Sequence, residues 1–258
     1  MTRIQSATLT VYAWAQTAGD DVNGLFTGCG NREPAQIRGR TSLVAFIVAF
    51  ASQKGGVAKS TLSQALGVWL LEAGLTVKIA DYDFRQHTST DWAADRLSDP
   101  KRPVVPVQTY RTLADALRDA SLYNVIIIDA PGHSGEHMLT LARTADLLIQ
   151  PTGGSLADLR PAIREFNELV RQGVPKEKLA LILSRIRKDT EQEAATLFIG
   201  DTGYTLIEGA LRDKLAYALA MDKGAAVTEV TAKKMKEEAK AAVSALVDAI
   251  LSRLEGAA

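Results

Sequence analysis

The chain has 258 residues, long enough for one large domain with a well-buried core. Hydrophobic residues make up 47% and charged residues 23%, and 30 Lys and Arg balance 30 Asp and Glu. This balance excludes a global field drawing the molecule to nucleic acid or membrane, so any such binding needs a local patch; the single cysteine, Cys29, excludes an internal disulfide and fits a reducing cytosol.

In chain order, residues 1–41 come first and differ from the rest. They carry Gly-Asp-Asp, Asn-Gly, Gly-Cys-Gly-Asn and Pro with no sustained period, and read as a poorly ordered extension or a mis-started N-terminus. An apolar stretch after Arg3 hints at a secretory signal, but Ser, Thr and Gln interrupt it. Residues 42–258 read as one domain. The run Leu43–Ala51 is far shorter than the roughly 20 residues that span a bilayer, and reads as a strand buried on both faces. Further strand-like runs follow at 76–81, 103–108, 124–129, 146–151 and 179–184. Helix-like stretches lie between and after them, at 60–73, 88–97, 112–121, 136–144, 156–172 and 189–199. Two more helices are expected near 210–222 and 228–255. Apolar strands alternating with amphipathic helices imply an α/β fold: three layers, a doubly wound and mostly parallel sheet. In the last helix Met235, Ala239, Val243, Leu246, Ile250 and Leu254 recur at helical spacing and form its core face.

Ser52-Gln53-Lys54-Gly55-Gly56-Val57-Ala58-Lys59-Ser60-Thr61 stands between the first strand and the first helix. Strand, glycine-bearing turn, Lys-Ser and helix are the context of a phosphate-binding loop. Glycines let backbone N–H groups close around phosphate oxygens, and the helix adds its positive end. Lys59 would reach the β- and γ-phosphates, and the Ser60 hydroxyl would ligate Mg²⁺. The two glycines of the generic pattern fall on Gln53 and Ala58, so Ala58 needs a backbone angle that a Cβ tolerates. Phosphoryl transfer also needs acids at strand ends on the same sheet edge, and Asp129 ends NVIIID while Asp81 and Asp83 end the strand TVKIAD, in DYDFRQ. Helix N-capping is the competing role for such aspartates.

The loop KGGVAKS resembles the deviant Walker A motif, KGGxxK[ST], of the ParA/MinD family of P-loop ATPases, and the resemblance extends over about residues 43–256. It implies ATP and Mg²⁺ as ligands, a sheet of the SIMIBI/ParA-like type, and weak Mg-dependent hydrolysis. Gly55, Gly56, Val57, Ala58, Lys59, Ser60 and Thr61 would cradle the phosphates, with the backbone of Gly132 approaching the γ-phosphate. Ser60, Asp129 and Asp83 would hold the metal, with Asp83 also orienting the attacking water. Where the family pattern is roughly D-x-D-P-Q, this chain has DYDFRQ: Phe84 replaces Pro, and an extra residue separates Asp83 from Gln86. Lys54 matches the lysine that crosses a dimer interface to a neighbour's phosphates, implying an ATP-dependent homodimer. Arg185 falls in the base-proximal segment. Lys214, with Arg212 beside it, matches a basic position that binds DNA without sequence preference, and Lys233, Lys234, Lys236 and Lys240 either widen that patch or form a solvated helix face.

The resemblance implies a DNA-partitioning ATPase, cytoplasmic and nucleoid-associated, whose hydrolysis is stimulated by a centromere-binding or cargo-adaptor partner. Positioning of a protein cargo is the alternative, and a dethiobiotin-synthetase-like ligase of the same fold a more distant one. Cluster-binding cysteines, a C-terminal tyrosine cluster, a basic amphipathic membrane tail and a G-x-S-x-G elbow are all missing from the sequence.

Overall fold

The computed structural model describes residues 45–132 and 135–256. The expectations for residues 1–44, including the extension, Cys29 and the start of the first strand, lie outside the described residues.

Among the described residues, seven strands form one sheet: β1 (Phe46–Ser52), β2 (Val77–Asp81), β3 (Val107–Thr109), β4 (Val125–Gly132), β5 (Leu147–Thr152), β6 (Leu179–Ile186) and β7 (Thr205–Arg212). Their order is β3-β2-β4-β1-β5-β6-β7, and every neighbouring pair is parallel. The helices are α1 (Lys59–Glu72), α2 (Thr88–Arg96), α3 (Leu113–Leu117), α4 (Gly135–Thr144), α5 (Leu156–Arg171), α6 (Asp189–Gly200), α7 (Leu215–Met221) and α8 (Lys233–Gly256).

Central β1 is buried along its whole length, as a strand covered on both faces must be. Alternate side chains feed two cores, because the strand period is two. Val48 and Phe50 join Ile127 and Ile149 beneath Leu62, Leu66 and Trp69 of α1 and Val243 and Leu246 of α8. Ile47 and Ala49 join Ile126, Ile128 and Leu148 on the other face, under Leu141 of α4, Phe166 of α5 and Ile199 of α6. The three-layer expectation holds. The core face of α8 also holds for Ala239, Val243, Leu246 and Ile250, with Met235 at its margin. The side chain of Leu254 lies outside the described residues.

Four elements differ from the sequence reading. The helix expected over 112–121 is only the five-residue α3, followed by a separate 3-10 turn at Ala120–Leu122. The helix expected over 210–222 begins only at Leu215, because residues through Arg212 complete β7. This edge strand hides its period: Thr205 and Glu208 are exposed, and Gly209 stands at φ 101° where the register against β6 shifts. A Cβ on Gly209 would sit 3.3 Å from the Ala242 Cα, so the bulge admits α8 closely. The run 103–108 reduces to the three-residue β3, since Pro103 and Pro106 have no N–H to offer a ladder. The last helix starts at Lys233 because a 3-10 turn, Val227–Glu229, precedes it.

That turn is clamped to α2. Arg96, essentially without exposure, bonds both carboxylate oxygens of Glu229 at 2.7 and 2.8 Å and the carbonyls of Gly224 and Pro103 at 3.0 and 2.8 Å. Trp92 Nε1 donates to the Ala225 carbonyl at 3.1 Å. No helix among the described residues is long and apolar enough to cross a membrane.

Candidate functional site

The loop after β1 leaves the carboxyl end of the central strand, the edge where parallel sheets bind ligands. Gly56 and Ala58 both take the left-handed backbone region, at φ 69° and φ 68°. Ala58, at ψ 28°, is the residue on which α1 starts, and no side chain caps that end. The angle demanded of Ala58 is therefore the glycine-like one. Lys59 opens α1 and is buried. Burial pulls its ammonium below the usual lysine range, against the opposing charges of Asp129 and Asp83. Ser60 and Thr61 follow on the same turn and line the cleft.

Asp129 lies within β4 and is 1% exposed. Burial pushes its carboxyl up to about 6, against the Ser89 and Ser60 hydroxyls and the Lys59 charge. Ser89 donates to Oδ2 at 2.7 Å and itself accepts from Gln64 Nε2 at 3.2 Å. Oδ1 is buried without a hydrogen-bond partner. A buried, unpartnered carboxylate oxygen beside a serine hydroxyl fits a hard divalent cation such as Mg²⁺, which takes oxygen ligands and completes its shell with phosphate and water. Ser89 was absent from the sequence reading; only its position one residue into α2 marks it.

The two aspartates at the end of β2, Asp81 in the strand and Asp83 beyond it, divide their labour. Asp81 is fully buried and structural: Oδ2 accepts from the Thr90 N–H and hydroxyl at 2.9 and 3.0 Å, and Oδ1 from the Asp83 N–H at 3.1 Å. Asp83 lines the cleft and also caps its own turn, with Oδ1 accepting from the N–H groups of Arg85 and Gln86 at 3.3 and 3.2 Å. Gln86 lines the same cleft. Gly132 lies against the loop, where an added Cβ would meet Gly55 Cα at 3.4 Å and Lys59 Nζ at 4.0 Å. A side chain there would narrow the phosphate end.

Lys54 stands apart from the cleft, on the side of the loop that faces α5. Its side chain is 58% exposed, its N–H donates to Ser52 Oγ at 3.1 Å, and its ammonium pairs with Asp158 in the first turn of α5. Burial pushes the Asp158 carboxyl up, but Lys54 and Ser155 outweigh this and hold it below the usual carboxylate range.

The cleft has a volume of about 510 Å³. One wall is the loop with Asp83 and Gly132; the other is Arg185 and the segment running from Leu211 through Lys214 to Met221. Arg185 holds a left-handed φ of 57° and donates Nη1 to the Gly56 carbonyl at 3.0 Å, while Ser184 Oγ donates to the Val57 carbonyl at 2.9 Å. Strand β6 thus fixes the outer side of the loop. Arg212 and Lys214 lie on this wall, not on a remote surface. Arg212 pairs with Asp189 at 2.5 Å and Arg187 with Asp213 at 3.0 Å, whereas the Lys214 ammonium makes no ion pair among the described residues. Lys233 and Lys234 are exposed on α8.

Residues 48–248 match the family model for the CobQ/CobB/MinD/ParA nucleotide binding domain. No curated protein sequence matches the chain significantly. Among solved structures it is similar to MinD in the MinC:MinD cell division complex of Aquifex aeolicus, with TM-score 0.62, 17% identity, and 79% of this chain and 96% of that one covered. It is similar to a plasmid partition protein from Borrelia burgdorferi bound to AMPPNP, with TM-score 0.56, 19% identity and coverage of 79% and 99%. It is also similar to the septum site-determining protein MinD of Pyrococcus horikoshii complexed with Mg-ADP, with TM-score 0.59, 18% identity and coverage of 79% and 96%. At these identities the structural likeness speaks for the fold alone.

Proposed function

The chain belongs to the CobQ/CobB/MinD/ParA nucleotide-binding family, and we propose that it is a partitioning ATPase whose two copies close around ATP, hold DNA, and let go on hydrolysis. The observation that carries this reading is the pair of lysines in one phosphate loop. Lys59 is buried at the floor of the cleft, while Lys54 is exposed on the far side of the loop, outside the cleft, and pairs with the half-buried carboxylate of Asp158. A lysine needed for the loop's own nucleotide would sit inside, as Lys59 does. An exposed one outside the cleft can serve a nucleotide bound by another copy, neutralising charge that develops in phosphoryl transfer.

Within each copy, Lys59 and the loop from Gly55 to Thr61 hold the phosphates, and Arg185 contacts the rest of the nucleotide. Ser60 and Asp129 would hold Mg²⁺, with Asp83 near it; the bound cation neutralises phosphate charge. Asp83 orients the attacking water, its turn fixed by Asp81. Gly132 gives the γ-phosphate a backbone donor. DNA contact falls to Lys214, which makes no ion pair among the described residues, with Arg212 beside it once its pair with Asp189 opens. Contacts of this kind go to phosphates and so are non-specific and salt-sensitive. A partner that stimulates hydrolysis, binding a plasmid or chromosome locus, supplies the cargo; a protein cargo is the second reading.

DNA retention on a long duplex, compared with ATP and with ADP at one salt concentration, tests this function. The expected result is retention with ATP, loss with ADP, and a salt slope lowered by about one in Lys214→Ala. Equal retention with both nucleotides would remove the switch from the account.

A further inference from the structure

A second cavity, of about 440 Å³, adjoins the nucleotide cleft across a shared wall. Asp83, Gln86 and Gly132 line both spaces, so the wall stands at the phosphate end of the cleft. It carries no side chain at Gly132, which lies against Gly55 and Lys59. Beyond the wall the lining is cationic and aromatic: Tyr82, Phe84, Arg85, Arg111 and His137. Phe84 and the extra residue before Gln86 are the points at which DYDFRQ departs from the family pattern, and they fall on this cavity. Asp83 builds the turn that carries them. Its Oδ1 accepts from the N–H groups of Arg85 and Gln86, and its carbonyl from those of Gln86 and His87 at 3.2 and 2.9 Å.

Phe84 is 43% exposed, and the guanidiniums of Arg85 and Arg111 lie 5.8 and 5.9 Å from its ring centroid, within cation–π reach. A ring that holds a guanidinium by its face leaves the N–H donors at the edge free. Neither arginine makes an ion pair among the described residues, and Asp83, the acidic residue lining the cavity, pairs with neither. A lone exposed Phe under one arginine stem needs no ligand to explain it. Two guanidiniums gathered on one ring without a counter-ion are different, because they repel each other until an anion lies between them. The shared wall says which anion comes closest.

We propose that this cavity is a phosphate site: Arg85 and Arg111 receive the inorganic phosphate that hydrolysis produces, on its way from the cleft to solvent. The inference rests on the ATPase reading of the cleft. The attacking water oxygen bonds to the γ-phosphorus as the bond to the β-phosphate oxygen breaks, so ATP and water become ADP, hydrogen phosphate and a proton. ADP then still fills the cleft, and the new anion stands at a wall that carries the Asp83 carboxylate. The two cations beyond that wall offset the repulsion, and their forked donors match phosphate oxygens. His137, edge-on to Tyr82 with ring centroids 5.9 Å apart, offers a ring N–H to the same space.

Two measurements on the full chain test this. In the first, inorganic phosphate is titrated by calorimetry into protein filled with Mg²⁺ and a slowly hydrolysed ATP analogue, so that the γ-phosphate position is already taken. The parent should bind one phosphate per chain, and the double variant Arg85→Gln/Arg111→Gln should bind it at least about tenfold more weakly. Phe84→Leu, which removes the ring and keeps an apolar surface, should weaken it about threefold. In the second, a single turnover is followed by acid quench and by a fluorescent sensor for free phosphate. The double variant should cleave ATP within about twofold of the parent's rate but release phosphate about tenfold more slowly. A parent that binds no phosphate beside the analogue, or a double variant that binds and releases it as the parent does, overturns the inference. A loss of DNA retention as large as the loss of phosphate binding would assign these cations to a nucleic-acid backbone and overturn it too. If the parent cleaves no ATP, the proposed function fails and takes the transit role with it; cleavage with unchanged release in the double variant fails this inference alone.

Discussion

Replacing Ala58 by Gly isolates the most strained position in the phosphate loop. Ala58 holds φ 68° and ψ 28° at the start of α1. For a residue with a Cβ this region costs roughly 1–2 kcal/mol, and for glycine almost nothing. Glycine also enlarges the unfolded ensemble, which opposes the gain by about 0.4–1 kcal/mol. No side-chain cap is lost, because Ala58 makes none, and glycine is the better of the two at a helix start. The net gain is about 0.5–1 kcal/mol, or roughly 1–4 °C in Tm for a domain of this size. Since the strain belongs to the folded loop, it appears in stability rather than in binding, and ATP affinity should change by less than about threefold. Ala58→Val should move the other way, because a β-branched side chain tolerates this region least. Thermal denaturation of the three proteins, with nucleotide titrations beside it, is the assay. A glycine variant that melts lower than the parent, or a valine variant that melts no lower, would refute the reasoning.

Three further outcomes follow from other parts of the molecule. Asp129→Asn should abolish Mg-dependent hydrolysis yet stabilise the fold at neutral pH by on the order of 3 kcal/mol. The folded carboxyl sits at about 6 against an ordinary 3.8, so the native state takes up its proton first and parent stability rises as pH falls through that window; the Asn variant should lack the rise in melts from pH 8 to 4. Arg96→Ala leaves half-buried Glu229 without its cation and should cost about 2–4 kcal/mol, less than a fully buried pair, read by denaturant unfolding. Burial raises Glu229, but the Arg96 hydrogen bonds outweigh it and hold the carboxyl below 4.5, so in the parent this contribution is present at neutral pH and is lost as the solution is acidified below that value. Lys54→Ala, by contrast, removes a mostly exposed pair worth about 0–1 kcal/mol, so its melt should match the parent's while hydrolysis falls by about 10³.

The parts legible in the sequence are those whose determinants are local. β1 is a continuous apolar run, the loop carries its glycines and lysines in ten consecutive residues, and α8 repeats its apolar face over five turns. Strand β7 was hidden because an edge strand shows polar residues to solvent and because Gly209 breaks its period. The separate jobs of Asp81 and Asp83 were equally hidden, since both are strand-end aspartates and only burial tells the anchor from the residue that faces the cleft. Long-range pairs carry no local signal: Lys54 and Asp158 are 104 residues apart, and Ser89 reaches Asp129 across 40. The likeness in sequence of Arg212 and Lys214 also conceals a difference, since one is neutralised by Asp189 and the other is not.

Mass by light scattering, with the protein saturated by Mg²⁺ and a slowly hydrolysed ATP analogue, measures the central claim most directly. Two copies exchanging Lys54 across their nucleotides predict a doubled mass with the analogue, a single mass with ADP, and a single mass for Lys54→Ala in either. A parent that stays monomeric with the analogue, or a dimer that forms equally well without the Lys54 ammonium, would contradict it.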